Sequence, residues 1–440
     1  MAWFFGAGWV ALTTGGAVFY RFAGDMGVKN YAVAWGLLSA VPFVATFFQI
    51  IGSLISERTG RNKVLFMVCQ LAARASWVLV GLLPLVILPN TLVAVAWVLL
   101  LFLLVQVGAN LAGPPWLTWM ADVIPGRIRG RYFGIRHRVA MTMFVAMALV
   151  AGWMLNAANS PDHLIRFPWP SGLFDWHLAA APFPLKPLQV CSLLFAVGGI
   201  LGVADILCFV RMREVPRTPP ANPPTLRQLL ATPLRDRQFV RFLAFYGLLT
   251  IGSPATYWYI WNHVTTYLGV SDLTAQFMMV IIPTIGELMF APVWGRLIDR
   301  VGRKTVMRIA LAFPVILPIC WLGVLPEYWW LGFIIPFLGN ISWLGSDQCN
   351  INLTLHLASG ETGSSSYQAL YALTVAIAGT LSGLVLGGLA WISSGVHVDA
   401  GPFHFDYLLV VFTASTAIRA VAYLWLLPRV DDDGRQAAGI

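Results

Sequence analysis

Two carboxylates, Glu287 and Asp347, stand deep inside long apolar runs of this 440-residue chain, where an ionised side chain is expensive unless it has a partner, a water-filled cavity or a function. A carboxyl group drawn out of water holds its proton more readily, so it can take one up and release it in a cycle. Both residues are therefore candidates for proton coupling. The competing reading is a salt bridge or a hydrogen-bonded packing group. Asp347 belongs to the polar stretch Ser346-Asp347-Gln348-x-Asn350-x-Asn352, and Glu287 precedes Asp299 by twelve residues, which gives the two similar depth.

The other deep ionisable residues are Arg74, Asp205, His263 and Arg419. Arg74 lies eleven residues past Lys63, about 16 Å along a helix and too far to reach a membrane surface, so a structural ion pair and a substrate role are both open. Asp205, six residues before Arg211, and Arg419, nine before Pro428, are close enough to a loop that snorkelling is the expected account. No Ser/His/Asp, metal-ligand or paired-carboxylate constellation is present, so catalytic residues, metal and cofactors are expected to be none. A GxxxxGK[ST] loop is also missing, which argues against an ATP-driven machine. The five cysteines, Cys69, Cys191, Cys208, Cys320 and Cys349, read as small packing residues.

The elements that must position these groups are membrane helices. The chain is 58% hydrophobic and only 11% charged, with mean hydropathy +0.74, whereas soluble domains carry about 25% charged residues. Twelve apolar runs long enough to cross a bilayer are expected near 2–22, 31–55, 64–88, 91–121, 138–158, 187–210, 239–266, 273–294, 305–325, 329–356, 366–392 and 405–427. Lys and Arg in the short loops divide 22 to 3 between the two sides, which places both termini in the cytoplasm. The net charge of +9 is thus a topology signal, and no nucleic-acid partner is expected. A Pro- and Arg-rich stretch, 213–237, separates six spans from six, so the expected division is 1–212, a cytoplasmic linker, and 238–440. The loop 158–187 on the other face, with His163, Trp169, Trp176 and His177, reads as an aromatic interfacial segment.

A short signature occurs twice, 242 residues apart. Glu57, Arg58, Gly60 and Arg61 recur as Asp299, Arg300, Gly302 and Arg303, and Gly27-Val28 recurs as Gly269-Val270 at the same offset. Gly295-x-Leu297-x-Asp299-Arg300-x-Gly302-Arg303-Lys304 resembles the loop signature of the major facilitator superfamily (MFS) at every defining position. Its first-half partner is looser, with Ser53, Glu57 and Asn62 at variant positions. Asp122-x-x-Pro125-x-x-x-Arg129-Gly130-Arg131-Tyr132-Phe133-Gly134 is similar to the further signature between spans four and five.

The resemblance implies an all-α integral membrane protein, two pseudo-symmetric six-helix bundles working by alternating access. It implies a cytoplasmic latch of Glu57, Arg58, Gly60, Arg61, Asp122, Arg129, Asp299, Arg300, Gly302 and Arg303, with Asp122 as partner of Arg58. Acids there can meet helix N-termini and arginines can meet carboxylates. The latch is expected to be asymmetric, because 358–366 has no Lys or Arg. In the superfamily spans one, four, seven and ten line the cavity, here carrying Tyr20, Arg21, Asn110, Trp119, Tyr257, Trp258, Trp261, Asn262, His263, Asn340 and Trp343; Arg74 is kept beside them. Aromatic rings and amides with few charges suit a neutral or amphipathic small organic solute. The expected protein is a proton-coupled secondary transporter of the inner membrane, acting as a monomer in the lipid bilayer. The alternative is a non-transporting scaffold or assembly factor that kept the fold, which a filled cavity would favour.

Overall fold

The computed structural model describes residues 2–124, 126–159, 164–166, 177–179, 185–214, 233–357, 364–401 and 403–430. Most of the linker and most of the loop 158–187, including His163, Trp169 and Trp176, therefore lie outside the described residues, as does the side chain of Arg129. The described chain is helical apart from two short antiparallel hairpins, Leu164–Arg166 with His177–Ala179 and Val398–Ala400 with Phe403–Phe405. Among the described residues eleven helices are long and apolar enough to span a bilayer, and the further helix Ile334–Leu357, which carries the polar stretch around Asp347, is numbered with them as a span. Helices dominate because hydrocarbon offers no water to backbone N–H and C=O groups, so each span must satisfy its own.

Spans are numbered here in chain order: 2 is Ala32–Thr59, 3 is Asn62–Val86, 4 is Leu92–Val123, 5 is Gly126–Asn159, 6 is Pro187–Leu207, 9 is Arg303–Leu322, 10 is Ile334–Leu357, 11 is Ser364–Ile392 and 12 starts as Tyr407–Val421. Span 1 is broken into Ala2–Thr13 and Ala17–Asp25, and span 7 into Arg237–Ile251 and Thr256–Asn262. Span 8 runs from Asp272–Gln276 through a π-turn, Phe277–Ile281, into Ile282–Val301. Caps follow the sequence. Thr91 accepts from Ala94 N at 3.1 Å, Asp236 from Gln238 N at 2.9 Å, and Asp406 from Leu408 N at 2.9 Å, each satisfying a first-turn donor. The repeated glycines end spans 2 and 8 with positive φ, 64° at Gly60 and 83° at Gly302, a conformation that favours glycine.

The chain forms two compact units. Unit 1 comprises Met1–Tyr31, Val44–Pro223 and Val270–Phe277; unit 2 comprises Ala32–Phe43, Pro224–Gly269 and Met278–Ile440. In unit 1 the core near the signature turn packs Phe66, Trp119 and Phe209 together. In unit 2 the comparable core is Phe239, Phe242 and Phe245 of span 7, against Tyr367 and Tyr371 of span 11. Large apolar side chains such as Leu85, Val86 and Leu88 point outward, as lipid-facing residues do.

A lysine at or just past each signature ties down another span. Lys63 Nζ donates to Val210 O and Met212 O at 2.8 and 2.7 Å, past the end of span 6. Lys304 Nζ donates to Pro428 O at 2.9 Å, past the end of span 12. A cation at a helix C-terminus meets orphaned carbonyls and the negative end of the dipole, so each signature holds its own bundle closed at that end.

Candidate functional site

Unit 2 lines a partly open cavity of about 360 Å3, within the range of sites that hold small organic ligands. Seven spans line it, with Phe43 of span 2, Met279 of span 8 and Val375 of span 11 as apolar contributors. Span 7 supplies Tyr246 and Tyr257, span 9 Trp321, span 10 Asn340, Trp343 and Asp347, and span 12 Arg419. The Tyr246 hydroxyl lies near both Asp347 and Tyr371, and Asn350 Nδ2 donates to Tyr371 Oη. The carboxylate at the cavity wall thus stands beside a cluster of two hydroxyls and an amide, the amide one turn along span 10. Glu287 is half-buried on span 8 and lies within electrostatic reach of Asp347. It is not among the lining residues.

Arg419 corrects the snorkelling expectation. It is 2% exposed, and its guanidinium is turned inward onto backbone: Nε to Gly252 O at 3.0 Å, Nη1 to Pro314 O at 2.7 Å, Nη2 to Thr256 Oγ1 at 2.8 Å. The physical reason is the break in span 7 and a proline in span 9. Gly252 O belongs to the interruption, and Pro314 O would normally accept from residue 318, which is Pro318 and has no N–H. Arg419 supplies these missing donors, and Ser415 Oγ adds a second to Gly252 O at 2.6 Å.

Asp205 corrects the same expectation in unit 1. Its carboxylate is buried and bonded to Arg74 Nη2 at 2.9 Å, while the Arg74 guanidinium lies over the Trp9 ring, 4.0 Å from its centre. An opposite charge within span 3 is a cheaper solution than stretching to the surface. A Cβ on Gly6 would come within 2.8 Å of Asp205 Oδ2, so that glycine makes room for the acid. Arg74 therefore has the structural ion-pair partner that its depth requires. A buried guanidinium fastens three spans in each unit, from a different member of the set: Arg74 on span 3 holds spans 1, 3 and 6, and Arg419 on span 12 holds spans 7, 9 and 12.

The remaining candidates divide clearly. Tyr257, Asn340 and Trp343 line the unit 2 cavity with Asp347. Trp258 stacks on Trp35 at 6.3 Å, and Trp261 is fully buried. Asn262 donates to Tyr407 Oη at 3.1 Å, and His263 is buried among Tyr267, Trp321 and Phe412. In unit 1, Tyr20 is buried, Asn110 accepts from Gln49 at 2.7 Å, and Trp119 sits in the core with Nε1 donating to Arg213 O at 2.9 Å. Arg21 pairs with Asp25 at 2.9 Å and Asp272 at 3.6 Å and donates to Asn159 at 3.0 Å. Sequence reasoning missed Trp321, Tyr246 and Tyr371 in the cavity region. Tyr246 carried a usable signal, a hydroxyl midway through an apolar run.

The chain is a multi-pass membrane protein with broken lead spans, repeated Gly-turn signatures and an aromatic cavity that carries a few polar groups. The family model of the Major Facilitator Superfamily matches residues 2–383, and the chain belongs to that superfamily. It is a transporter fold and not an enzyme. A 109-residue stretch is 34% identical to the Multi-drug resistance efflux pump PmrA homolog of Lactococcus lactis subsp. lactis (strain IL1403), spanning 24% of this chain and only 25% of that protein. Among solved structures, a point mutant of the nucleoside transporter NupG superposes with TM-score 0.67 at 11% identity, covering 98% of this chain and 99% of that one. A D-xylose-proton symporter gives TM-score 0.62 at 14% identity, over 97% of this chain and 94% of its own. Identities this low establish the fold alone.

Proposed function

We propose that this chain is a secondary active transporter that moves a small organic solute by alternating access, with Asp347 and Glu287 carrying the coupled proton. The observation that carries the reading is the unit 2 cavity, in which a carboxylate meets aromatic rings and an amide. A cavity of about 360 Å3 favours transport over a scaffold, whose core would be filled. The aromatic lining, with Asn340 as a polar handle, suits a neutral or amphipathic solute. The sequence halves 1–212 and 238–440 are the moving bodies, and Glu57, Arg58, Asp122, Asp299, Arg300 and Arg303 form the cytoplasmic latch.

Purified protein is expected to melt at higher temperature with its substrate, because a ligand at 100 times its Kd adds about 2.7 kcal/mol to the folded state. A thermal-shift screen over sugars, nucleosides, amino acids, peptides, lipids and lipophilic drugs identifies the class. No shift with any of them, together with a protein that moves no solute in proteoliposomes, would favour the scaffold.

The 22-to-3 bias of basic residues supports an inner-membrane protein with both termini and the linker in the cytoplasm. A cysteine introduced at Ala221 is expected to resist a membrane-impermeant thiol reagent in intact cells and to react after permeabilisation. Labelling before permeabilisation would reverse the topology.

A further inference from the structure

The break in span 1 is closed by a side chain from far along the sequence. Residues 14–16 interrupt the helix, and Gly16 takes φ 99°. An interruption at membrane depth frees an N–H and a C=O that need other partners. Gln276, in the first turns of span 8 and 1% exposed, serves both: Ala17 N donates to its Oε1 at 2.9 Å, and its Nε2 donates to Gly15 O at 2.8 Å. One amide thus bridges the two lips of the break.

The surroundings fix that amide in place. Span 5 approaches closely enough that a Cβ on Gly152 would meet Gln276 Cβ at 3.4 Å and Leu273 Cδ1 at 3.1 Å. One turn before Gln276, the buried Asp272 faces Arg21, which also holds Asp25 and Asn159. The segment Val270–Phe277 belongs to unit 1, whereas span 8 from Met278 onward belongs to unit 2. The change falls in the π-turn Phe277–Ile281, where the helical hydrogen-bond register is already altered. Span 2 changes membership between Phe43 and Val44, one residue past Pro42, another weak point in a helix.

The two lead spans are repaired differently. In span 7, Ala255 N donates to Ser382 Oγ at 3.3 Å, and Gly252 O takes Ser415 and Arg419. Those residues lie on spans 11 and 12, entirely within unit 2. Span 1 instead depends on a segment whose own span continues into the other unit.

We propose that Gln276 is a positioning residue of the transport step: its amide holds the two parts of span 1 in line while the face opposite the signatures is closed, and it lets go when that face opens. This rests on the alternating-access reading above. Asp272 and Arg21 form the second contact of the same clasp. Opening draws the first turns of span 8 away from span 1 and leaves the lips of span 1 to water, whereas the break in span 7 stays capped throughout.

The test uses the full-length protein with its five native cysteines replaced and one reporter cysteine at Ala157, a 1% exposed position on span 5 between the partners of Gln276 and Arg21. Its reaction with an impermeant maleimide added outside intact cells reports opening of that face. Gln276→Met, similar in length but without hydrogen bonds, is expected to raise the labelling rate about tenfold, the effect of losing two modest hydrogen bonds. Gln276→Glu keeps the acceptor for Ala17 N and loses the donor to Gly15 O, so its rate should lie between. Asp272→Asn, which weakens the hold on Arg21, should raise it less and serves if the Gln276 variants do not fold. Unchanged labelling in Gln276→Met, or in Asp272→Asn where only that variant folds, overturns the proposal. The measurement needs neither substrate nor proton gradient, so its failure leaves the transport reading intact, and failure of that reading leaves the labelling interpretable.

Discussion

Asp347→Asn in proteoliposomes is expected to abolish accumulation of the solute against its gradient while leaving exchange of solute across the membrane largely intact. The reasoning is local. Asp347 is the carboxylate on the wall of the unit 2 cavity, close to the Tyr246 hydroxyl, so it can meet both the occupant and a proton. Binding and rocking do not need that proton, but uphill movement does. One pH unit across the membrane is worth about 1.4 kcal/mol per proton, so the unaltered protein can sustain about tenfold accumulation and the variant none. Glu287→Gln separates the two candidates: a coupling role predicts the same loss, whereas a residue outside the lining that only senses Asp347 predicts a shifted pH profile. A structural carboxylate would instead lower expression and melting temperature together. Full gradient-driven transport in the Glu287→Gln, Asp347→Asn double variant would rule out proton coupling through this pair.

The second large effect is expected at Arg419. Arg419→Met removes the donor that Pro314 O has no other means of replacing, since Pro318 cannot bond it. An orphaned buried carbonyl costs about 1–3 kcal/mol. Loss of the bond to Thr256 adds to this, while Gly252 O keeps Ser415. The cause can be isolated in a double-mutant cycle. Pro318→Ala restores an N–H four residues after Pro314, so it should recover part of the lost stability in the Arg419→Met background and much less in the unaltered protein. Equal effects of Pro318→Ala in both backgrounds would mean that Arg419 acts mainly through packing or charge.

Much of the architecture was legible because it is written in local chemistry. The apolar runs set the spans, and the paired Gly60 and Gly302 mark the helix ends where a positive φ is needed. Asp347 was legible too, as an acid in a polar stretch of an apolar run. Asp205 and Arg419 were misread because depth was counted from the nearest loop, whereas their orientation is decided by partners on other spans: Arg74 for one, the Gly252 and Pro314 carbonyls for the other. Gln276 left no local signal at all. It stands a few residues past a turn, where an amide is unremarkable, and its two partners are 259 and 261 residues away. The aromatic candidates divide for a related reason. A ring on a lead span is equally at home in a cavity wall or a core, and only packing separates Trp343 from Trp119.

Within unit 2, the early part of span 2 lies against span 11 so closely that a Cβ on Gly36 would stand 2.5 Å from Gly383 O and from Gly387 Cα. Two backbones touch there with no side chain between them. In hydrocarbon no water is released when apolar helices meet, and attraction comes from dispersion over whatever surface fits. Such a seam has no rotamers to freeze on closing and no polar group to strand on parting. It is short-ranged, quickly made and quickly undone, and it tolerates no bulk: alanine at Gly36 or Gly383 would act as a wedge. The chain has thus placed a dry, nearly entropy-free zipper in one unit and a directional amide clasp in the other, so thickness or compression of the surrounding bilayer should bear on the first far more than on the second.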